Sequence, residues 1–305
     1  MAVSVLHWGA KADTVRCLAS VATSQPPPEW LLVLDNGTGA LGEAEVQSAA
    51  PGAVLLRAPE NLGFAGGHNV IIRCALDAGA THVLLLNNDA TLEPGCLAAL
   101  VRESAAPRTA AVGAKVLAAD HPGTLWQAWG RVTWRAALVE RVGRGARDGP
   151  PFDAVREVEW VPGCAMLLAR EALETIGPLD ERFFAYHEDV DWCASARSAG
   201  FRVLFVPDAR VTHRGEGSLA GRGPANPARY LSARNTVLFA RKHGGPLQWL
   251  TLSAAIAGSF PLVLLGGWIR GNAGVARLLW QGYRDGLLGR ALPLRPLGLR
   301  QMSNT

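Results

Sequence analysis

The segment "FFAYHEDVDWCASARSAGFRV" gathers Glu188, Asp189 and Asp191 directly behind His187, in a chain of which only 18% of residues are charged. Phe183, Phe184 and Tyr186 stand just before the acids. An acid flanked by aromatics at a helix start is well placed to take a proton as a general base. Acids in a first helical turn are also favoured by the helix macrodipole, which accounts for Asp191 and part of Glu188 without any chemistry. Helical spacing runs from Glu188 through Trp192, Cys193 and Ala196 to Gly200, a suitable residue just past a helix end.

Four other places carry groups that can do chemistry. "LDNG" ends an apolar run with Asp35 and Asn36, where a carboxylate can accept hydrogen bonds from a ribose or base; the same letters are ordinary turn chemistry. "ENLGFAGGHN" sets Gly63, Gly66 and Gly67 before an expected helix, a layout that lets backbone approach a phosphate at a helix N-terminus. It matches neither a Walker loop nor the G-x-G-x-x-G spacing. "LLLNND" ends in Asn87, Asn88 and Asp89, and Asp89 can bind a hard cation shared with two phosphates; a helix-capping turn is the alternative. His213 closes "VPDARVTH" before a glycine-rich loop, where it can contact a metal or diphosphate.

These groups need a frame that brings strand ends together. Over the first hundred residues, apolar runs such as "AVSVLHW", "EWLLVLD" and "THVLLLN" alternate with helix-period segments. The runs are continuous rather than alternating, which predicts a parallel sheet covered on both faces. In such sheets ligands sit beyond the carboxyl ends of the strands. The region from Val112 to Trp160 is less regular, and "RVGRGARDGPPFDAVREVEW" reads as a surface loop. "RYLSARNTVLFARKH" reads as a helix.

The 305-residue chain carries a formal net charge of +4, which is no nucleic-acid footprint. Much of the excess lies in Arg270, Arg277, Arg284, Arg290, Arg295 and Arg300, compatible with an anionic membrane surface or with a solvated basic face. The five cysteines form no CxxC pair, so neither a disulfide framework nor a zinc site is expected. "MAVSVLHWGA" lacks a signal-peptide pattern, giving an expectation of a cytoplasmic protein. Gly244 to Ile269 contains no charge and exceeds the ~20 residues that cross a bilayer. Pro261 and Gly266–Gly267 are expected to interrupt a simple span. A hairpin in one leaflet, a helix lying on the surface and a buried helix pair all fit.

Together, "DNGTG", "ENLGFAGGHN", "LLLNNDATLEPG", "VPGCAMLLARE", "IGPLDERFFAYHEDVDWCASARSAGFRVLFVPDARVTHRGEGS" and "RYLSARNTVLFARKH" occur in the order and spacing of the family 2 glycosyltransferases. The chain resembles the bacterial rhamnosyltransferase-like branch up to about His243. The resemblance implies the GT-A fold, a Rossmann-like α/β, mostly parallel sheet flanked by helices, here with a C-terminal helical, apolar extension. It implies a catalytic domain over 1–228, with a nucleotide-sugar half to about 110 and an acceptor half after it, and an extension over 229–305.

By that resemblance Asp189 is the catalytic base and Glu188 binds or orients the acceptor. Asp35, Asn61, Gly66, Gly67, Asn69 and Asn88 belong to the nucleotide-sugar site. Asp89 and His213 hold Mg²⁺ or Mn²⁺. The implied reaction is inverting transfer of a sugar from dTDP-rhamnose, or else a UDP-sugar, to a glycan or polyprenyl-linked glycan acceptor. It would take place at the inner face of the cell membrane, with peripheral membrane contact and no nucleic-acid partner. Loops at about 143–158 and 214–227 would set specificity. The sequence departs from the family pattern at Asn87, where an acid is common, at His68, and in "HWGA". A catalytically silent GT-A scaffold is the alternative. A sugar nucleotidyltransferase ranks below it, because "VLHWGAKAD" offers only Lys11 and one glycine for a triphosphate.

Overall fold

The computed structural model describes residues 1–215, 226–269, 273–294, 297 and 299. By compactness the chain forms two units, one of 1–131, 141–184 and 188–215, the other of 132–140, 185–187 and 216–305.

The first unit is built on a mixed sheet. Its strands are β1 (Ala2–His7), β2 (Trp30–Asn36), β3 (Val54–Ala58), β4 (His82–Asn87), β5 (Ala90–Leu92), β6 (Thr109–Ala118), β7 (Leu125–Gln127), β10 (Arg156–Glu157), β11 (Ala165–Ala169) and β12 (Arg202–His213). Spatial order is β10-β12-β6-β11-β4-β1-β2-β3, with β5 on β12 and β7 on β6. β8 (Trp129–Val132) and β9 (Val139–Val142) pair separately. Strands β1 to β4 run parallel as the apolar runs predict, and β11 enters antiparallel between β4 and β6.

Helices α1 (Lys11–Ala22), α2 (Glu43–Ala49), α3 (Gly63–Asp77), α4 (Cys96–Ser104), α5 (Arg170–Ile176) and α6 (Glu188–Ser198) belong to this unit. Val3, Val5, Val33, Leu84 and Leu86 from the strands pack with Cys17, Leu18 and Leu100 from α1 and α4 in one core. Residues on parallel strands buried on both faces have no solvent side to alternate toward, hence the unbroken apolar runs.

The chain lays β2 and β3 on one side of β1, then crosses to put β4 on the other. Parallel strands whose connections diverge leave a crevice at their carboxyl ends. There Leu6 is in register with Asn87, and His7 with Asp35.

The second unit contains α7 (Pro227–His243), α8 (Pro246–Ile269) and α9 (Ala273–Leu287). α7 starts on Asn226, whose side chain accepts from Ala228 N, and Pro227 follows at the position where a missing N–H costs nothing. α9 lies flush on α7: a Cβ on Gly282 would come 2.4 Å from Tyr230 O, and one on Gly286 2.8 Å from Arg234 O. The interruption expected at Pro261 and Gly266–Gly267 does not occur. α8 is one continuous helix with Pro261 inside it. Arg270, Arg295, Arg300 and most of the loop expected at 214–227 lie outside the described residues.

Candidate active site

α6 begins at Glu188, as its spacing predicts, and puts Glu188, Asp189 and Asp191 in its first turn. Trp192 anchors the helix by donating Nε1–H to Gly177 O at 3.0 Å, and Cys193 sits against Met166 of β11. Gly200, at φ +80°, reverses the chain after the last turn.

Asp189 is half-buried. Its Oδ2 accepts from Gly163 N and its Oδ1 from Val190 N, both at 2.9 Å. Burial raises its pKa above the ordinary 3.8, and those two backbone N–H groups and the Arg141 charge only partly oppose the rise. Glu188 is buried, and its Oε2 has no hydrogen-bond partner. Burial, then the Asp189 charge, push its pKa well above the usual carboxylate value. Burial raises the pKa of both neighbouring carboxyls, and the charge of Asp189 adds to the rise at Glu188.

Gly163 also ties this acid to the next one. Its neighbour Cys164 accepts from Asn87 N at 3.0 Å, because β11 enters the sheet antiparallel to β4, and the Cys164 carbonyl therefore meets the end of β4. Two residues beyond Asn87, Asp89 Oδ1 lies 3.0 Å from His213 Nε2. β5 pairs Ala90 with His213, and that register delivers the histidine. The Asn87 amide is 3.1 Å from the same nitrogen. Burial works to raise the Asp89 pKa, but the hydrogen bond and charge of His213 outweigh it and leave the carboxyl below its ordinary value. Trp126 stands edge-on to His213 at 4.5 Å between ring centroids.

Asp89 and His213 supply one carboxylate and one imidazole. Among the described residues no group of three or more His, Cys, Asp or Glu could hold a metal ion. That donor set suits Mg²⁺ or Mn²⁺ shared with phosphate oxygens, since such ions keep few protein ligands, and does not suit an all-protein cage.

The expected nucleotide residues fare unevenly. Asp35 is buried; its Oδ1 accepts from Thr38 N and Thr38 Oγ1 at 2.8 and 2.6 Å, and its Oδ2 from Leu41 N at 3.3 Å, with Arg57 at 3.7 Å. Burial would raise its pKa, but the Thr38 and Leu41 hydrogen bonds bring it below the ordinary value. Asn88 donates to Thr14 Oγ1 at 2.9 Å.

The glycine-rich segment differs from expectation in where its helix begins. α3 starts at Gly63, so Gly66 and Gly67 are helical and not in a loop before the helix. Gly63 has φ +74°, and a Cβ there would come 2.5 Å from Phe184 O. That carbonyl accepts from Phe64 N and Ala65 N, so the helix N-terminus expected to face a phosphate is filled by the chain itself. Gly67 is small because Leu6 would lie 2.4 Å from a Cβ, and Gly66 because Leu62 would lie at 3.2 Å. Asn69 clasps Leu179 from both sides, donating to its carbonyl at 2.8 Å and accepting from its N–H at 3.0 Å. Asn61 accepts from Asn36 Nδ2 and Gly63 N, both at 2.9 Å. Gly66, Gly67, Asn69 and Asn61 each have packing or hydrogen-bond partners within the fold.

Sequence reasoning missed Gly163, Arg141, Trp126 and His7. His7 ends β1 in register with Asp35, and its Nδ1 lies 2.7 Å from Thr14 Oγ1. Its Nε2 is buried without a hydrogen-bond partner, and burial lowers its pKa. The polar end of an apolar run, the signal that singled out Asp35 and Asp89, was present at His7 too. Nothing local marks Gly163 or Arg141.

Residues 1–228 match the family described as Glycosyltransferase like family 2. The chain is 30% identical over 275 residues, 79% of its length and 85% of the relative's, to the N-acetylglucosaminyl-diphospho-decaprenol L-rhamnosyltransferase of Mycobacterium tuberculosis. It is 31% identical over 87 residues, 27% of its length and 29% of the relative's, to the dTDP-rhamnosyl transferase RfbF of Shigella flexneri. In structure it is similar, at a TM-score of 0.55 and 17% identity, to a mannosyltransferase of Pyrobaculum calidifontis solved with GDP-Man and Mn²⁺, over 94% of this chain and 87% of that one. With the sheet order and the strand-end acids, these likenesses make the chain a GT-A-fold member of glycosyltransferase family 2, and a glycosyltransferase.

Proposed function

We propose that this chain transfers a rhamnosyl or similar sugar, with inversion, from a nucleoside-diphosphate sugar to a hydroxyl of a polyprenyl-diphosphate-linked glycan. The reaction takes place at the cytoplasmic face of the membrane. The observation that carries the reading is Asp189. Its carboxylate is held by Gly163 N and Val190 N at 2.9 Å, and Cys164, beside Gly163, bonds the strand end that carries Asp89.

In this reading Asp189 takes the proton from the acceptor hydroxyl as that oxygen attacks the anomeric carbon, and the nucleoside diphosphate leaves from the opposite face. A pKa raised by burial makes the carboxylate a stronger base than an exposed one. Glu188, whose pKa burial and the Asp189 charge raise well above the ordinary carboxylate value, stands beside the base to orient the acceptor. A divalent cation held by Asp89 and His213 would supply positive charge against the departing diphosphate. Asp35 and the unpartnered Nε2 of His7 lie at the strand ends where a base or ribose would bind. The relatives' names favour dTDP-rhamnose as donor, with UDP-sugars next, and a decaprenyl-type acceptor.

The test is a panel of nucleotide-sugars offered to the purified protein with Mn²⁺, first for binding and then for transfer onto lipid-linked acceptors. Transfer from a deoxyhexose donor is expected. A protein that binds none of the panel, or that binds without transferring to any lipid-linked acceptor, overturns the reading.

A further inference from the structure

We propose that α8 is an in-plane membrane anchor: its open face lies in the headgroup boundary of an anionic bilayer and does not cross it. The proposal goes beyond the catalytic reading and stands on the second unit alone. α8 has 24 residues, long and apolar enough to cross a membrane; its most apolar stretch has a mean hydropathy of 1.7, and only 11% of that stretch is buried.

Its two sides differ. Leu252 and Gly267 are buried, and Phe260 meets Trp280 of α9 at 5.9 Å between ring centroids. On the other side Leu250, Leu262, Leu265 and Trp268 are exposed, Leu262 at 70% and Trp268 at 79%. A crossing helix must be surrounded by lipid or apolar protein along its length. Here one side carries α9 with Arg277 and Arg284, which crossing would drag toward hydrocarbon at high cost. A helix apolar on its open face and docked on the other satisfies both demands only when it lies in the interface.

Charge selects the lipid. After Glu216 the sole acidic residue is Asp285. It is held by Arg284 at 2.9 Å, by Arg290 at 3.5 Å and by the Tyr230 hydroxyl at 3.0 Å. Arg241 and Lys242 are exposed in the last turn of α7, next to the start of α8. Cations beside an apolar face, with their one acid neutralised, match anionic headgroups over acyl chains. An open hollow of about 760 Å³ lies between Thr133–Ala137 and α8, where Leu247, Ala254 and Ala255 share the wall with Arg135, Gln248 and Thr251.

The experiment floats full-length protein with vesicles of phosphatidylcholine alone or mixed with phosphatidylglycerol, with no donor or acceptor present. Binding to the mixed vesicles is expected, about tenfold weaker on the neutral ones, and released by alkaline carbonate. The double substitution Leu262→Glu with Leu265→Glu should abolish flotation while leaving the melting temperature unchanged. In the unsubstituted protein, the quenching lost in Trp268→Phe should be larger for bromines near the headgroup than near the bilayer centre. No flotation, resistance to carbonate, quenching greatest at the bilayer centre, or a dimer that the double substitution dissociates while vesicles stay unbound would each overturn the proposal.

Discussion

The Gly163 N–H donates to Asp189 Oδ2 at 2.9 Å. Gly163 is thus the backbone hook of the acid on α6, and its neighbour Cys164 is bonded to Asn87 at the end of β4. One turn of chain before β11 therefore spaces Asp189 from the strand end that carries Asp89. Both ends of this connection can be tested.

Asp189→Asn keeps the shape and one acceptor oxygen but removes the base. We expect kcat to fall about 10²–10⁴-fold, with donor affinity within about threefold of the original. Because burial raises the Asp189 pKa above 3.8, the acid limb of the kcat/KM profile should lie above the ordinary aspartate range, with rate lost as pH falls through it. The substitution should remove that limb from the residual activity. Steady-state kinetics across pH check both.

Glu188 gives a stability prediction. Its folded pKa is raised by burial and by Asp189, so its contribution to stability is full below the unfolded pKa near 4.5 and is lost as pH rises through the folded value. Glu188→Gln cannot ionise. It should therefore raise the melting temperature by a few degrees at pH 8 and change it little at pH 4, while lowering activity. Thermal melts at the two pH values check the sign.

If Asp89 and His213 hold the cation as proposed, Asp89→Asn and His213→Ala should each weaken Mn²⁺-dependent donor binding by about tenfold or more. Titration calorimetry of the nucleoside diphosphate with and without Mn²⁺ checks this. The metal-free affinity should be the same in all three proteins.

Gly67→Ala separates a packing glycine from a phosphate-binding one. Its new Cβ would press on Leu6 Cδ1 at 2.4 Å, which should cost about 1–3 kcal/mol of stability. Donor affinity measured well below the melting temperature should stay unchanged. A weakened donor affinity in a fully folded variant would restore the phosphate-loop role.

The sequence by itself determined the α/β class, the parallel set β1 to β4, the start of α6 at Glu188 and the acids at strand ends. These are local properties: an unbroken apolar run, helical spacing and a polar residue closing a strand can each be read within a few residues. The glycine-rich segment misled because a glycine kept for phosphate approach and one kept for close packing look alike in a sequence. The packing partners, Leu6 from β1 and Phe184 O from a distant segment, are visible only in the folded chain. Pro261 misled in the same way: α8 continues through it, with Pro261 exposed on its open side. The partners of the chemistry were decided by tertiary structure alone. Gly163 reaches Asp189 across 26 positions, and His213 reaches Asp89 through β5 and β12, because sheet register and not spacing along the chain sets which backbone groups face which side chains.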